Sequence, residues 1–146
     1  NRGWNFEAYV RFPTAIAANQ AGFIGVGTAF NSTLSSIAQY AWFKLNASMA
    51  LTGEAKDGTT TTTGKDLAFT VVANTFYLFR MAAKFGMGRN SGFVEFWVED
   101  DFLGKITIAD ATATMLLQPI FGVQKSTGTG VPAVDIDWYH LEWDRI

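Results

Sequence analysis

The sequence predicts an all-β protein that folds as a two-sheet antiparallel β-sandwich. Apolar and polar residues alternate along short segments, which is the period of a strand rather than of a helix. Turn-forming stretches rich in Gly, Thr and Asn separate these segments, and many short strands joined by such turns are typical of a sandwich or barrel. The composition agrees, because 15% of the residues are aromatic and only 16% are charged, a balance that favours strands.

The first half of the chain begins with a clear strand pattern. Residues 4–12 alternate apolar and polar side chains up to Pro13, which predicts a half-buried strand with Trp4 on its core face. Further strands are predicted at residues 22–30, 38–46 and 48–56, of which the last two form a hairpin. The threonine run in residues 57–65 suits an exposed edge or a flap.

The second half supplies the remaining strands of about ten. They are predicted at residues 67–73, 75–86, 93–99, 103–109, 112–124 and 133–143. Asp100 and Asp101 mark the bend of one hairpin, and Pro119 indicates a bulge or an edge. A turn at 87–92 and a loop at 126–132 complete one predicted domain, residues 1–146, with no convincing helix, repeat or linker.

Composition excludes several classes of function. The chain of 146 residues has no cysteine, so it has no disulfide framework, cysteine-based zinc site or cysteine nucleophile. A net charge of -2 gives no basic footprint, and we expect no nucleic acid partner. No apolar stretch is long enough to span a bilayer, so we expect no membrane partner. The chain starts at Asn1 without Met, which suggests processing or a segment cut from a longer protein.

Several motifs occur in a familiar order along nearly the whole chain. They are the strands WNFEAYVRF, GFIGVG and FYLFRM, the hairpin VEFWVEDDFLG, and the closing segments PIFGV, KSTGTG and IDWYHL. This order resembles the concanavalin A-like (laminin G-like) jelly roll. The resemblance implies two curved antiparallel sheets, with the first and last strands side by side. Such modules occur in lectins, in glycosidases and often in phage virion proteins.

The acids of the VEFWVEDDFLG hairpin raise the question of catalysis. Catalytic relatives carry acids at three alternate positions of this kind of strand, with an Asp in the middle. Here Glu95 and Glu99 hold the outer positions but Trp97 holds the middle one. Four residues of strand separate Glu95 from Glu99 by about 13 Å, too far for either glycosidase geometry unless a neighbouring strand adds an acid. His140 lacks any triad or zinc-binding spacing. We therefore predict that the protein is not an enzyme.

We expect no cofactor, and a bound calcium ion is the alternative. Asp135 and Asp137 stand two residues apart and are predicted to share a face of the closing strand. With Glu99, Asp100 or Asp101 they offer the oxygen ligands that calcium prefers. The loops lack a dense acidic pattern, which weighs against this site.

Two of the five tryptophans are candidates for contact with a ligand or a partner. A flat indole suits the face of a pyranose, although sandwich cores also use aromatic residues. Trp97 lies on the strand face opposite Val98, and Trp138 lies on the face opposite Tyr139. We therefore expect one of the two tryptophans to be exposed. They are the predicted glycan or partner contacts, together with Glu95 and Glu99.

The leading functional hypothesis is a non-catalytic virion structural protein. It would be a capsid decoration (cement) protein or a surface appendage domain that contacts other virion or capsid subunits, as a homo-oligomer. This hypothesis rests on three observations: no catalytic constellation is present, and the predicted loops are rich in Thr, Gly and Ala. The aromatic strands also exceed what one small core needs, which suggests burial against partner subunits. The alternative is a carbohydrate-binding, lectin-like module for glycan or host-surface recognition. Either hypothesis places the protein on a virion surface or outside the cell.

Overall fold

The alternating pattern of the sequence becomes ten strands in the structure, a computed structural model. It describes residues 2–29, 31, 33–58, 63–85, 92–108, 117–128, 130 and 133–143. The strands are β1 (Arg2–Arg11), β2 (Gln20–Gly27), β3 (Gln39–Leu45), β4 (Ala50–Asp57), β5 (Thr63–Thr70), β6 (Phe76–Phe85), β7 (Gly92–Val98), β8 (Asp101–Ile108), β9 (Gln118–Lys125) and β10 (Asp135–Trp143). Within these residues the only helix is a 3₁₀ turn at Leu34–Ser36, and none could cross a membrane.

The strands form two five-stranded sheets in which every described pair is antiparallel. Sheet A has the order β10-β1-β6-β7-β8, and sheet B has the order β5-β4-β3-β2-β9. β1 pairs with β10 from Trp4 opposite Trp143 to Arg11 opposite Asp135. The first and last strands therefore lie side by side, and the predicted two-sheet antiparallel sandwich is confirmed.

Aromatic side chains from both sheets meet in the core. The Phe43 ring of sheet B lies 5.1 Å from the Phe79 ring and 5.2 Å from the Phe96 ring of sheet A, edge to face in both cases. All three are fully buried, and Trp4 is buried as predicted. Each such side chain contributes roughly 1.5–3 kcal/mol through burial, so the inner faces hold the two sheets together. The outer face of each sheet is the side that points away from this core.

Two predictions about edge strands can be compared with the structure. The strand predicted at residues 67–73 begins earlier, because Thr63 already pairs with Ala55 in a hairpin with β4. Ala68 lies in the middle of this strand with φ +52°, where the Asp66 carboxylate accepts its N–H. β5, which begins at Thr63 of the threonine run, is the edge of sheet B as predicted, whereas residues 59–62 of the run lie outside the described residues. β9, which carries Pro119, is the other edge, so that prediction is also confirmed. The predicted turn at 87–92 lies almost wholly outside the described residues.

Candidate ligand-binding face

The outer face of sheet A contains an open depression of about 500 Å³. The polar face of β1, with Asn5 and Glu7, forms its centre, because these residues alternate with the buried Trp4, Phe6 and Ala8. Side chains from β10, β6 and β7 surround it. The outward-facing lining residues are Asn5, Glu7, Arg80, Ala82, Lys84, Glu95, Trp97, His140 and Glu142.

Cross-strand register arranges these side chains in two rows. The upper row across the four strands holds His140, Glu7, Arg80 and Trp97. The lower row holds Glu142, Asn5, Ala82 and Glu95. The short side chains in the middle of the lower row leave space, whereas long charged and aromatic side chains stand around them. The depression is therefore a consequence of residue size on neighbouring strands.

Two ion pairs hold Arg80, a central cation of this face. The Arg80 guanidinium lies 3.3 Å from Glu7 on β1 and 3.6 Å from Asp100 in the β7–β8 turn. Glu95 stands directly opposite Lys105 in the register of β7 and β8. Arg80 and Glu7 are half-exposed and Asp100 is fully exposed, so each ion pair contributes little to stability, but together the two pairs orient the Arg80 side chain.

A row of aromatic rings crosses β10, β1 and β6 next to the upper row of the depression. We call Trp138, Tyr9 and Phe76 the aromatic row. The Tyr9 ring lies 6.5 Å from Trp138 and 5.0 Å from Phe76, with interplanar angles of 27° and 25°. The Arg11 guanidinium lies 4.8 Å from the Phe76 ring centre and binds Asp135 at 2.6 Å. Trp138, on an outer strand, is still 42% exposed, which leaves much of its indole open to a ligand.

The two predicted tryptophans face the same side of sheet A. Trp97 alternates with the buried Phe96 and Val98, and its ring lies 5.6 Å from the exposed Phe102. Trp138 pairs with Tyr9 on the same outer face. Three strand spacings separate β7 from β10, so the two residues stand about 15 Å apart. Trp97 and Glu95 line the depression, and Trp138 stands beside it.

Glu99 corrects one prediction. β7 ends at Val98, so Glu99 does not share a strand face with Glu95 as the spacing predicted. Glu99 adopts φ +54° in the turn, where its N–H donates to the Leu78 carbonyl at 2.8 Å. Its carboxylate accepts the Leu78 N–H at 2.9 Å. The side chain therefore closes the turn against β6 and is not part of the depression.

The acids proposed for calcium are divided between opposite edges of sheet A. Asp135 lies on β10 and pairs with Arg11, whereas Asp101 opens β8, four strand steps or about 19 Å away. A bulge in β10 leaves Asp137 without a register partner in β1, so the alternation predicted from Asp135 is broken. Asp100 contacts Arg80 instead. Among the described residues, no three His, Cys, Asp or Glu side chains form a group that could hold a metal.

Several residues of this face were not singled out by the sequence. They are Glu7, Tyr9, Phe76, Arg80 and Glu142. The polar face of β1 was visible as alternation, which identified Glu7 and Tyr9 as outward residues. Their role follows only from the placement of β6 and β10 on either side of β1, which are long-range pairings that local alternation does not encode.

The outer face of sheet B is closed by contrast. Residues Phe23, Tyr40, Trp42 and Ile120 form a small apolar cluster with Leu34 and Ile37 of the connection before β3. A pocket of about 160 Å³ remains beside it, next to Phe23, Asn31 and Leu34. This volume is well below the roughly 300–1,000 Å³ of typical small-molecule sites. The depression on sheet A is therefore the better candidate for ligand binding.

Comparison with known proteins locates the fold but not a family. No protein-family model matches the chain, and no curated protein matches it. A β-glucanase from Bacillus licheniformis superposes with a TM-score of 0.58 and 10% identity, over 95% of this chain and 63% of that chain. An endo-β-1,4-glucuronan lyase from the fungus Trichoderma reesei gives 0.54 and 10%, over 97% and 64%.

A third structure is a carbohydrate-binding module from Bacillus subtilis, with a TM-score of 0.43 and 8% identity over 98% of this chain and 72% of that chain. That score is too low to add to the comparison. The first two superpositions show that the chain has the concanavalin A-like jelly-roll fold. The chain spans less than two thirds of either enzyme, at 63% and 64% of their lengths.

Proposed function

We propose that this domain is a carbohydrate-binding, lectin-like module whose glycan site is the outer face of sheet A. The observation that carries the proposal is the common orientation of Trp97 and Trp138, with the polar depression between β7 and β10. The fold supports it, because the two superposed enzymes are named for glucan and glucuronan.

The chemistry of the face suits a sugar. A pyranose presents an apolar ring face and a rim of hydroxyl groups that donate and accept hydrogen bonds. Trp97 supplies an aromatic surface at one wall. Glu95, Asn5 and Lys84 supply acceptors and donors around the floor, of the kind that orient ligands in otherwise simple pockets.

The proposed module is not catalytic. Trp97 stands where the resemblance places a helper Asp, Glu99 closes a turn, and Glu7 neutralises Arg80. Incubation with β-glucan and with glucuronan should release neither reducing ends nor unsaturated products. Either product, lost in Glu95→Gln, would show that the site is an enzyme.

Binding to a glycan array, followed by calorimetry on the best ligands, tests the proposal. Trp97→Ala should reduce affinity at least tenfold, the equivalent of about 1.4 kcal/mol. Trp143→Ala is the matched control, because Trp143 is 40% exposed on β10 but pairs with the core residue Trp4. No glycan binding by the wild-type domain, or equal losses in both variants, would contradict the proposal.

A second candidate is the virion structural role, which acts through protein contacts. Among the described residues, four of the six exposed large apolar side chains lie on the edge strand β10: Ile136, Trp138, Tyr139 and Trp143. An exposed apolar edge favours pairing with another chain. Sedimentation analysis would test it, with Tyr139→Lys expected to dissociate a homo-oligomer. A wild-type monomer that binds no virion or capsid subunit would remove this candidate.

A further inference from the structure

We infer that the ligand is an extended, uncharged glycan chain that crosses the strands of sheet A from Trp97 to the aromatic row. This inference rests on the proposed glycan-binding function and adds the length and charge class of the ligand. It assigns a second contact zone to Trp138, Tyr9 and Phe76, beyond the depression itself.

The length follows from the spacing of the aromatic residues. Trp97 and Trp138 stand about 15 Å apart across three strand spacings, so one pyranose ring cannot touch both. His140 lines the depression and lies two residues after Trp138 on the same outer face of β10, so the depression extends to the residue next to Trp138 on that face. A chain of several sugars lying across the strands would contact both tryptophans.

The charge class follows from the ion pairs. Arg80 is shared by Glu7 and Asp100, and Arg11 is occupied by Asp135. Of the charged groups that line the depression, Glu7, Glu95 and Glu142 outnumber Arg80 and Lys84. A face of this kind has no positive field to attract a polyanion, and desolvating uronate groups beside three carboxylates would be unfavourable.

The two aromatic zones predict different roles in binding. Trp97 is half-buried within the depression and would anchor every ligand, short or long. Trp138 lies at the far end and would be reached only by longer chains. Loss of Trp138 should therefore matter in proportion to chain length, whereas a merely structural role would change all affinities equally.

Calorimetry with size-graded oligosaccharides tests the inference on the domain as it exists. The neutral probes are β-glucan, xylan and mannan oligomers from monosaccharide to hexasaccharide, and the acidic probes are glucuronan and polygalacturonate oligomers of equal size. For the best neutral series, affinity should rise with length. Trp138→Ala should lower hexasaccharide affinity about tenfold and leave disaccharide affinity unchanged. Trp97→Ala should weaken binding at every length, and Trp143→Ala should have no effect.

The outcomes separate this inference from the proposed function. If no oligosaccharide binds, both fall. If binding depends on Trp97 but is independent of length, or if Trp138→Ala weakens short and long chains equally, only the extended-chain inference falls. Tighter binding of acidic oligomers that weakens with added salt would overturn the uncharged class.

Discussion

The outer faces of the two sheets both carry aromatic side chains, but these are at least partly exposed on sheet A and buried on sheet B. Each carries aromatic side chains from adjacent strands: the aromatic row on sheet A, and Phe23, Tyr40 and Trp42 on sheet B. Trp138 is 42% exposed, whereas Trp42 is 2% exposed. The difference arises above the sheets, because Leu34 and Ile37 pack over the aromatic residues of sheet B.

The two faces also differ in how polar groups are satisfied. The Trp42 indole N–H donates to Glu54 at 2.9 Å, and the same carboxylate accepts from Lys44 at 3.0 Å. The ring itself stacks on Tyr40 at 3.5 Å. These contacts make Trp42 part of a second, small core. An outward-facing tryptophan on a sandwich is thus available to a ligand only where no connecting segment covers it.

Replacing each tryptophan is the strongest test of this comparison. Trp42→Ala should lower the free energy of unfolding by about 3–5 kcal/mol, because it removes a buried indole and leaves a cavity. Trp138→Ala should change it by less than about 1 kcal/mol, as is usual for surface positions. Urea denaturation measures both. Equal losses would mean that the aromatic row on sheet A is also structural.

Local patterns in the sequence predicted which face of its strand a side chain occupies. They did not predict which other segments of the chain pack over that face. Alternation placed Trp97 on the side opposite Phe96 and Val98, and the structure agrees. Nothing in the residues around Trp42 indicated that Leu34 and Ile37 would bury it, since that contact joins a strand to a connection outside it.

Turns and bulges limited the prediction of the site in a similar way. The strand containing Glu95 stops one residue before Glu99, and the bulge at Asp137 shifts the alternation of β10. Each change depends on a backbone contact with a neighbouring strand, such as the bonds between Glu99 and Leu78. A period of two is reliable only within an uninterrupted ladder.

Two glycines on the outer face of sheet B offer a sharper test of how closely that face is packed. A Cβ on Gly25 would clash with the Ala41 carbonyl oxygen and lie 2.5 Å from the Trp42 Cα, both backbone atoms. Gly25→Ala should therefore destabilise the protein by about 1–3 kcal/mol. Gly122→Ala is the matched control, because nothing lies within 4 Å of its Cβ position. Thermal melts should show a lower midpoint for Gly25→Ala alone; matched midpoints would show that β2 and β3 can separate at little cost.

The smallest expected difference in the free energy of unfolding is between variants that break an ion pair on each of the two faces. The Glu54 side chain is 15% exposed and serves two donors, whereas Asp135 is 40% exposed in its pair with Arg11. Water and salt screen the second pair more strongly, so Asp135→Asn should cost less than about 1 kcal/mol. Glu54→Gln removes a charge from a partly buried acceptor and should cost about 1–2 kcal/mol.

Denaturation at low and high salt separates these two effects. The cost of Asp135→Asn should fall towards zero as salt rises, because its pair is open to solvent. The cost of Glu54→Gln should persist, since glutamine has a single acceptor oxygen and its NH2 group would face either the Trp42 N–H or the Lys44 ammonium at any salt concentration. A loss for Glu54→Gln that disappears with salt would mean that the cover on sheet B is loose enough for water to reach Glu54, and the contrast between the two faces would then be one of degree.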